Sequence, residues 1–374
     1  MNGPNVCYLG PWRDHTGYGE ANRHAIAALH EAGCNVKASL VSYVRDVADF
    51  GRIGQLLTKL ERNECSYRIK ILHTTPDQFR KHMEPNKYHI AHFFWETSRV
   101  PEVFVEGLKL MNEIWTGSEH NKKALEDSGV HVPILIFPQA TETERPEPKP
   151  YKIPEFEGYL FYSIFEWIDR KNPEALINAY WQEFQNGEKV GLLLKTYFKD
   201  FTQRNKEMIH DAIETLKRRS GLSKFPPIFV YKELMDRHQI TRIHDTGDCF
   251  VSAHRGEGWG VPQVEAMLRT KPIISTNYGG VHEFLTQSLA QLLPYQLERV
   301  TGMSHSAFWY TEDQSWASVD EKKLREAMRW AYKNPKSAKE MGMRAHEFVV
   351  ERFGLKRIGT EMRERLEVIG RKIT

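Results

Sequence analysis

DCFVSAHRGEGWGVPQVEAMLRTKPIISTNYGGVHE, residues Asp248–Glu283, is the stretch on which the reading of this chain turns. Asp248–Ala253 is short and mostly apolar, as a strand buried on both faces is. A glycine-rich loop follows, Gly256-Glu257-Gly258-Trp259-Gly260. Pro262 then falls where a first helical turn begins, and Gln263–Leu268 continues as helix. Lys271 and Pro272 break that helix, Pro272–Thr276 reads as the next strand, and Tyr278-Gly279-Gly280 opens another helix at Val281. Two strand–loop–helix units in tandem bring loop N–H groups and helix N-termini to the carboxyl edge of one sheet. Open α/β sheets bind anionic ligands at that edge. Glycines let the backbone approach a ligand closely and adopt φ > 0. Glu257 lies in the loop and Glu265 in the helix. A carboxylate accepts paired hydrogen bonds from vicinal hydroxyls, so sugar and ribose rings are natural partners.

The segment Glu257–Glu265, EGWGVPQVE, has an E-x7-E pattern, and it resembles that of the retaining GT-B glycosyltransferases, especially family 4 (glycosyl transferases group 1). Their common form is EGFG-P-E-AM---G-PVI----GG--E. Its later parts are present as Ala266-Met267, Pro272-Ile273-Ile274, Gly279-Gly280 and Glu283. The likeness is close over this stretch and looser over the rest of the chain. It implies an α/β GT-B architecture, two Rossmann-like parallel-sheet domains facing a central cleft. Residues 1–150 would form the acceptor-side domain and 151–352 the donor-side domain. The final helix, 353–374, would pack back on the first. The resemblance gives Glu265 the ribose hydroxyls of a nucleotide and Glu257 a place facing the donor sugar. It gives the backbone amides of Gly258, Trp259, Gly260 and Val261 the sugar and phosphate.

Working outward, Asn5–Leu9 reads as a first strand, Gly10–Gly19 (GPWRDHTGYG) as a loop and Glu20–Ala32 as a helix closed by Gly33. The residues alone allow a phosphate cradle or a plain tight turn. The resemblance assigns Gly17, Tyr18 and Gly19 to the donor diphosphate. Arg13 and Arg23 either add charge there or lie on a solvated face. The strand Tyr88–Trp95, YHIAHFFW, carries His92. A single histidine in an apolar strand is ordinarily a satisfied core residue. The family, however, often places a histidine beside the donor sugar at this strand end, which makes His92 a candidate catalytic residue. Trp95 and Glu96, nearer the edge, are candidates for touching an acceptor.

Gln139–Lys152 has the composition of an interdomain linker. Gly158–Phe165 opens the second domain as a buried strand. The loop Glu166–Asn172, EWIDRKN, leads into a helix with Pro173 and Glu174 at its start. In the family this loop supplies an Arg and a Lys to the diphosphate. Lys171 matches the Lys. Phe165 and Glu166 occupy the place of the family's Arg, and Arg170 is the candidate to replace it. Lys195 ends the strand Val190–Thr196 as a further cation. An enzyme that releases a nucleoside diphosphate needs such cations to stabilise leaving-group charge. Asp46–Glu61 reads as a helix. So does Leu355–Ile373, with Ile358, Met362, Leu366 and Ile369 at helical spacing. Ala290–Pro294 reads as a strand and Gly302–Asp313 as irregular.

A formal charge of +3 is too small to argue for nucleic acid as an electrostatic partner. Cys7, Cys34, Cys65 and Cys249 are scattered and lack zinc-type spacing. No D-x-D occurs, so metal-independent chemistry is expected. No apolar run is long enough to cross a bilayer and the N-terminus lacks a signal-peptide layout, so a cytoplasmic location is expected. The basic residues of the last helix suggest weak peripheral membrane contact, ranked lower because glutamates are interleaved. No G-x-G-x-x-G follows the first strand, which argues against a dinucleotide dehydrogenase.

The expected function is transfer of a sugar, with retention, from a UDP- or GDP-sugar to an acceptor hydroxyl. No cofactor beyond that co-substrate is expected, and Glu257, His92 and Lys171 are the candidate catalytic residues. The acceptor is open among glycan, lipid, protein and modified nucleic acid. The alternatives are a non-catalytic carbohydrate- or nucleotide-binding protein on the same fold, and a sugar-nucleotide epimerase.

Overall fold

Strands that are apolar on both faces need helices on both sides of their sheet. Ile69–Leu72, Glu113–Thr116, Cys249–Ser252 and Ile273–Thr276 are each buried along their whole length. A computed structural model describes residues 3–42, 50–144, 146–303 and 308–373, and in it these strands belong to two six-stranded sheets. The chain divides into two compact units, Met1–Glu144 with Val349–Thr374, and Arg145–Phe348.

The first unit runs β1 (Asn5–Gly10), α1 (Gly17–Glu31), β2 (Asn35–Leu40), α2 (Gly51–Glu61), β3 (Ile69–Leu72), α3 (Phe79–His82), β4 (Tyr88–His92), α4 (Glu102–Leu108), β5 (Glu113–Thr116), α5 (Glu119–Asp127) and β6 (Ile134–Ile136). Its sheet is parallel with order β2-β1-β3-β4-β5-β6. The order reverses between β1 and β3, the kind of position at whose carboxyl edge open α/β sheets bind ligands.

The second unit continues with β7 (Tyr159–Glu166), α6 (Pro173–Glu183), β8 (Val190–Tyr197), α7 (Gln203–Ser220), β9 (Ile228–Tyr231), α8 (Arg237–Thr246), β10 (Cys249–Ser252), α9 (Val261–Leu268), β11 (Ile273–Thr276), β12 (Gln291–Leu293), β13 (Tyr295–Arg299), β14 (Ser315–Val319) and α10 (Glu321–Lys333). The sheet order is β12-β11-β10-β7-β8-β9, again parallel, and it reverses between β7 and β10. Phe161, Tyr180, Leu192, Leu194, Val251 and Met328 are among the residues of its core. The chain re-enters the first unit at Val349, within α11 (Pro335–Phe353), and ends in α12 (Leu355–Lys372). There α12 lies against α1, with Gly359 so close that a Cβ would sit 1.9 Å from the Ala28 carbonyl oxygen.

Several local expectations change. Gly17–Gly19 is not part of the loop but the first turn of α1, because Thr16 caps the helix and its hydroxyl accepts from the Gly19 N–H at 3.1 Å. The helix expected from Val281 is only a 3₁₀ turn, Gly280–Glu283. The loop after β7 contains another, Asp169–Lys171. The helix expected over Asp46–Glu61 starts at Gly51, and residues 46–49 lie outside the described residues. The antiparallel pair β13–β14 was not anticipated. Among the described residues no helix is long and apolar enough to cross a membrane.

Candidate functional site

In the second unit the loops after β7 and β10 leave neighbouring strands at the point where the strand order reverses. They are stitched together. The Arg255 N–H donates to the Arg170 carbonyl at 2.7 Å, and the Arg170 guanidinium donates to the Gly256 carbonyl at 2.8 Å. Lys171 Nζ lies 2.5 Å from Glu257 Oε1, and Arg170 Nη1 lies 3.7 Å from Glu257 Oε2. Burial opposes ionisation of Glu257, but Lys171, His254 and Arg170 outweigh it and hold the carboxyl below its ordinary range. Lys171, Arg170 and Glu257, all candidates in the sequence, are thus neighbours in space.

The turn from β10 into α9 depends on Gly260, whose φ of +103° lies in the left-handed region. The Gly280 N–H donates to the Glu257 carbonyl at 2.7 Å, tying this turn to the one after β11. Gly258 and Val261 flank the same turn, and the first N–H groups of α9 lack acceptors within the helix. Trp259 points inward, buried against Phe284 with ring centroids 5.0 Å apart, so only its backbone faces the turn. Glu265 sits further along α9 and is held by Arg237 and His244, both on α8. His244 reaches Glu265 Oε2 through Nε2 at 3.2 Å, and its Nδ1 meets the Tyr162 hydroxyl at 2.9 Å.

Lys195 is buried at the carboxyl end of β8, beside Tyr231 in register, with Tyr197 and Phe201 rings 5.9 and 5.4 Å from its ammonium. Burial pulls its pKa down to about 8. Glu233, the carboxylate that acts on it, is itself paired with Lys206.

In the first unit, His92 ends β4. Its Nδ1 lies 2.8 Å from the hydroxyl of Tyr8 on β1, and the same hydroxyl lies 2.6 Å from Nδ1 of His73, which follows β3. Burial lowers the His92 pKa to about 3. Tyr18, in the first turn of α1, packs edge-on to His73 at 4.8 Å and donates to the Thr74 carbonyl at 2.9 Å. Gly19 passes under the preceding loop, where a Cβ would lie 2.2 Å from the Asp14 carbonyl oxygen, and Gly17 is exposed.

Other expectations resolve as structural contacts. Arg23 is neither solvated nor a spare cation: it is buried and donates to the Trp12 and Asp14 carbonyls at 3.0 and 2.6 Å. Arg13 pairs with Glu61 at 2.6 Å. Trp95 is buried against Phe93 and Phe104, and its indole N–H donates to the Thr97 hydroxyl and the Arg99 carbonyl. Glu96 beside it is half-buried.

Tyr8, His73, His254, Arg237 and His244 were missed. Arg237 and His244 are seven positions apart on α8 and so share a face, a signal that was available. His254 is pinned between Ser252 Oγ at 3.0 Å and the Tyr278 carbonyl at 2.9 Å, and burial lowers its pKa to about 4. Among the described residues no group of three or more His, Cys, Asp or Glu could hold a metal ion.

Residues 226–293, which include Glu257, Glu265 and the α9 turn, match the profile of the family described as Glycosyl transferases group 1. No curated protein matches the chain. Among solved structures it is similar to sucrose-phosphate synthase from Thermosynechococcus elongatus, at 14% identity and a TM-score of 0.70, covering 99% of this chain and 100% of that one. It is also similar to HepE of Anabaena, solved with UDP and glucose, at 14% identity and 0.65, covering 98% and 100%. A glycosyltransferase from Rickettsia africae ESF-5 shares 12% identity at 0.65, covering 99% of each chain. The fold is that of the GT-B glycosyltransferases, and with the group 1 segment it supports sugar transfer.

Proposed function

We propose that the chain is a retaining, metal-independent glycosyltransferase that takes a sugar from a nucleoside-diphosphate donor, UDP- or GDP-linked, to an acceptor hydroxyl. The observation that carries this reading is the meeting of Lys171, Arg170 and Glu257 at the strand-order reversal, beside the amide end of α9. Two cations and a helix N-terminus at one sheet edge suit a departing diphosphate. The HepE structure with UDP and glucose supports the choice of ligand.

In this reading Lys171, Arg170, Lys195 and the amides of Gly258, Trp259, Gly260 and Val261 hold the diphosphate. Glu265, oriented by Arg237 and His244, accepts from the ribose hydroxyls. Glu257 faces the sugar. His92 and the α1 turn, Gly17, Tyr18 and Gly19, are the first unit's donor-binding groups. The bond from the anomeric carbon to the phosphate oxygen breaks as the acceptor oxygen bonds to the same face. The hydroxyl proton passes to the departing phosphate. Glu257 is not a general acid, since its surroundings keep it ionised, whereas a glycosidase acid needs a raised pKa.

The test is a screen of UDP-, GDP- and ADP-sugars for hydrolysis without acceptor, followed by proton NMR of the first product formed. An α-linked donor is expected to give an α-configured product, at a rate unchanged by EDTA. Inverted configuration, or loss of activity in EDTA, overturns the corresponding part. The absence of turnover with every donor, alongside tight UDP binding, favours a binding protein instead.

A further inference from the structure

At the reversal between β1 and β3 in the first unit, one phenol hydroxyl bridges two imidazoles. Tyr8 Oη lies 2.6 Å from His73 Nδ1 and 2.8 Å from His92 Nδ1. A hydroxyl has one proton, so it donates to only one of these nitrogens. The other Nδ1 must carry a proton and donate to the oxygen. Burial disfavours the imidazolium form of both rings, and the one charge interaction on His73 beyond burial is with His92. Two neutral rings bridged in this way are opposite tautomers. One presents Nε2–H as a donor, the other a bare Nε2 as an acceptor.

Neither Nε2 atom has a hydrogen-bond partner among the described residues, although both side chains are buried, His73 at 0% and His92 at 3% exposure. A buried donor or acceptor left unmet costs roughly 1–3 kcal/mol, so such a pair needs an explanation. The ring centroids are 4.5 Å apart and tilted by 34°. Phe94 lies 5.8 and 5.2 Å from the two rings, Tyr18 packs on His73, and Trp115 lies 6.2 Å from His92. The setting is aromatic and uncharged, with one unmet donor and one unmet acceptor on two rings whose centroids are 4.5 Å apart.

We propose that Tyr8 and His73 act with His92 as a hydroxyl-reading group: Tyr8 fixes opposite tautomers on the two histidines, and their Nε2 atoms together take a hydroxyl of an uncharged sugar ring. A hydroxyl both donates and accepts, so it satisfies the two atoms at once. An anion lacks the proton the bare nitrogen needs, and an ammonium group lacks the lone pair the other needs. His73 is a specificity-determining residue and Tyr8 a positioning one. Identifying the ring as the transferred sugar rests on the reading of the chain as a glycosyltransferase; the tautomer arrangement does not.

The full-length chain, labelled with 15N-histidine, tests the arrangement through long-range proton–nitrogen spectra. His73→Gln and His92→Gln chains assign the two rings. One ring is expected as the Nδ1–H and the other as the Nε2–H tautomer, both neutral down to pH 5, with the opposition lost in Tyr8→Phe. Identical tautomers, or a ring that protonates near pH 6.5, overturns the proposal. The second readout is hydrolysis of UDP-glucose, UDP-N-acetylglucosamine, GDP-mannose and ADP-glucose, beside UDP and GDP affinity. For whichever donor the wild type uses, His73→Phe is expected to cut turnover by roughly 10–100-fold, with the affinity of the matching nucleoside diphosphate changed less than about twofold. His73→Gln, which can restore a polar atom, should recover most of the rate, and His73→Leu takes the place of the Phe chain if that one does not fold. Wild-type turnover in both His73 chains overturns the proposal. A wild type that uses no donor overturns the transferase reading and the sugar assignment with it, and the spectra tell that failure from one of the tautomer pairing.

Discussion

Lys195 is a costly charge at the scale of one residue. Its ammonium is buried, touches the faces of Tyr197 and Phe201, and makes no ion pair among the described residues. The groups acting on its charge are Glu233, which favours it, and Lys206, which opposes it. The folded pKa, about 8, lies below the ordinary lysine value, so folding disfavours the proton. The unfolded chain therefore binds more protons between pH 8 and about 10.4, and this group's contribution to stability rises with pH over that window. Lys195→Met should raise stability at pH 7, by up to roughly 3 kcal/mol, and the advantage should shrink by pH 10. Urea unfolding midpoints at the two pH values measure it. An equal difference at both, or a loss at pH 7, sinks the idea. The proposed transferase reading adds the expectation that the same substitution weakens diphosphate binding. The residue was legible in sequence as a cation ending an apolar strand. Its burial was not, because that depends on Tyr197 and Phe201 folding over it.

Elements separate what the sequence carries locally from what only packing decides. The α12 helix was readable from Ile358, Met362, Leu366 and Ile369, all buried in the structure. The β10–α9 unit was readable because glycine and proline punctuate it. The start of α1 was misplaced because its glycines suggested a turn, whereas the Thr16 cap lets them stand in a helical first turn. The β13–β14 pair was missed because most of β13 is exposed, so no buried alternation marks it. His73 was missed because its meaning depends on β1, β3 and β4 being neighbours, which no local pattern reveals. Gly359 is a similar case: in sequence it is merely a poor helix residue, while in space it lets α12 touch α1. Propensity alone favours Gly→Ala in a helix by about 1 kcal/mol. At Gly359 a Cβ meets backbone at 1.9 Å, whereas at Gly370 on the same helix it meets nothing within 4 Å. Gly359→Ala should therefore lower the melting temperature and Gly370→Ala hold or raise it. Thermal melts of the two single variants decide the point, and a Gly359→Ala chain as stable as wild type would refute close packing as the reason for that glycine.

At the scale of the molecule, the chain leaves the first unit after Glu144, builds the second, and returns at Val349. The first unit therefore depends on a segment that follows the second unit in sequence. One contact that makes this dependence energetic is Arg365 of α12 on Glu113 of β5, 252 positions apart in sequence. Glu113 is fully buried, and Arg365 Nη2 lies 2.5 Å from its Oε2. Trp115 Nε1 donates to Oε1 at 2.7 Å and the Tyr88 hydroxyl to Oε2 at 3.2 Å, so the carboxylate's remaining lone pairs are also met. Breaking a buried pair from one side leaves an uncompensated charge and typically costs about 3–5 kcal/mol, while replacing both partners costs far less. Arg365→Met should therefore destabilise the chain by that order. Adding Glu113→Gln should return much of the loss, since the amide oxygen can still accept from Trp115. The coupling is read from urea midpoints of the four chains in a double-mutant cycle. Additive effects would mean that the ion pair does not tie α12 to the sheet, and that the hydrophobic stripe with the Gly359 contact holds the returning helix on its own.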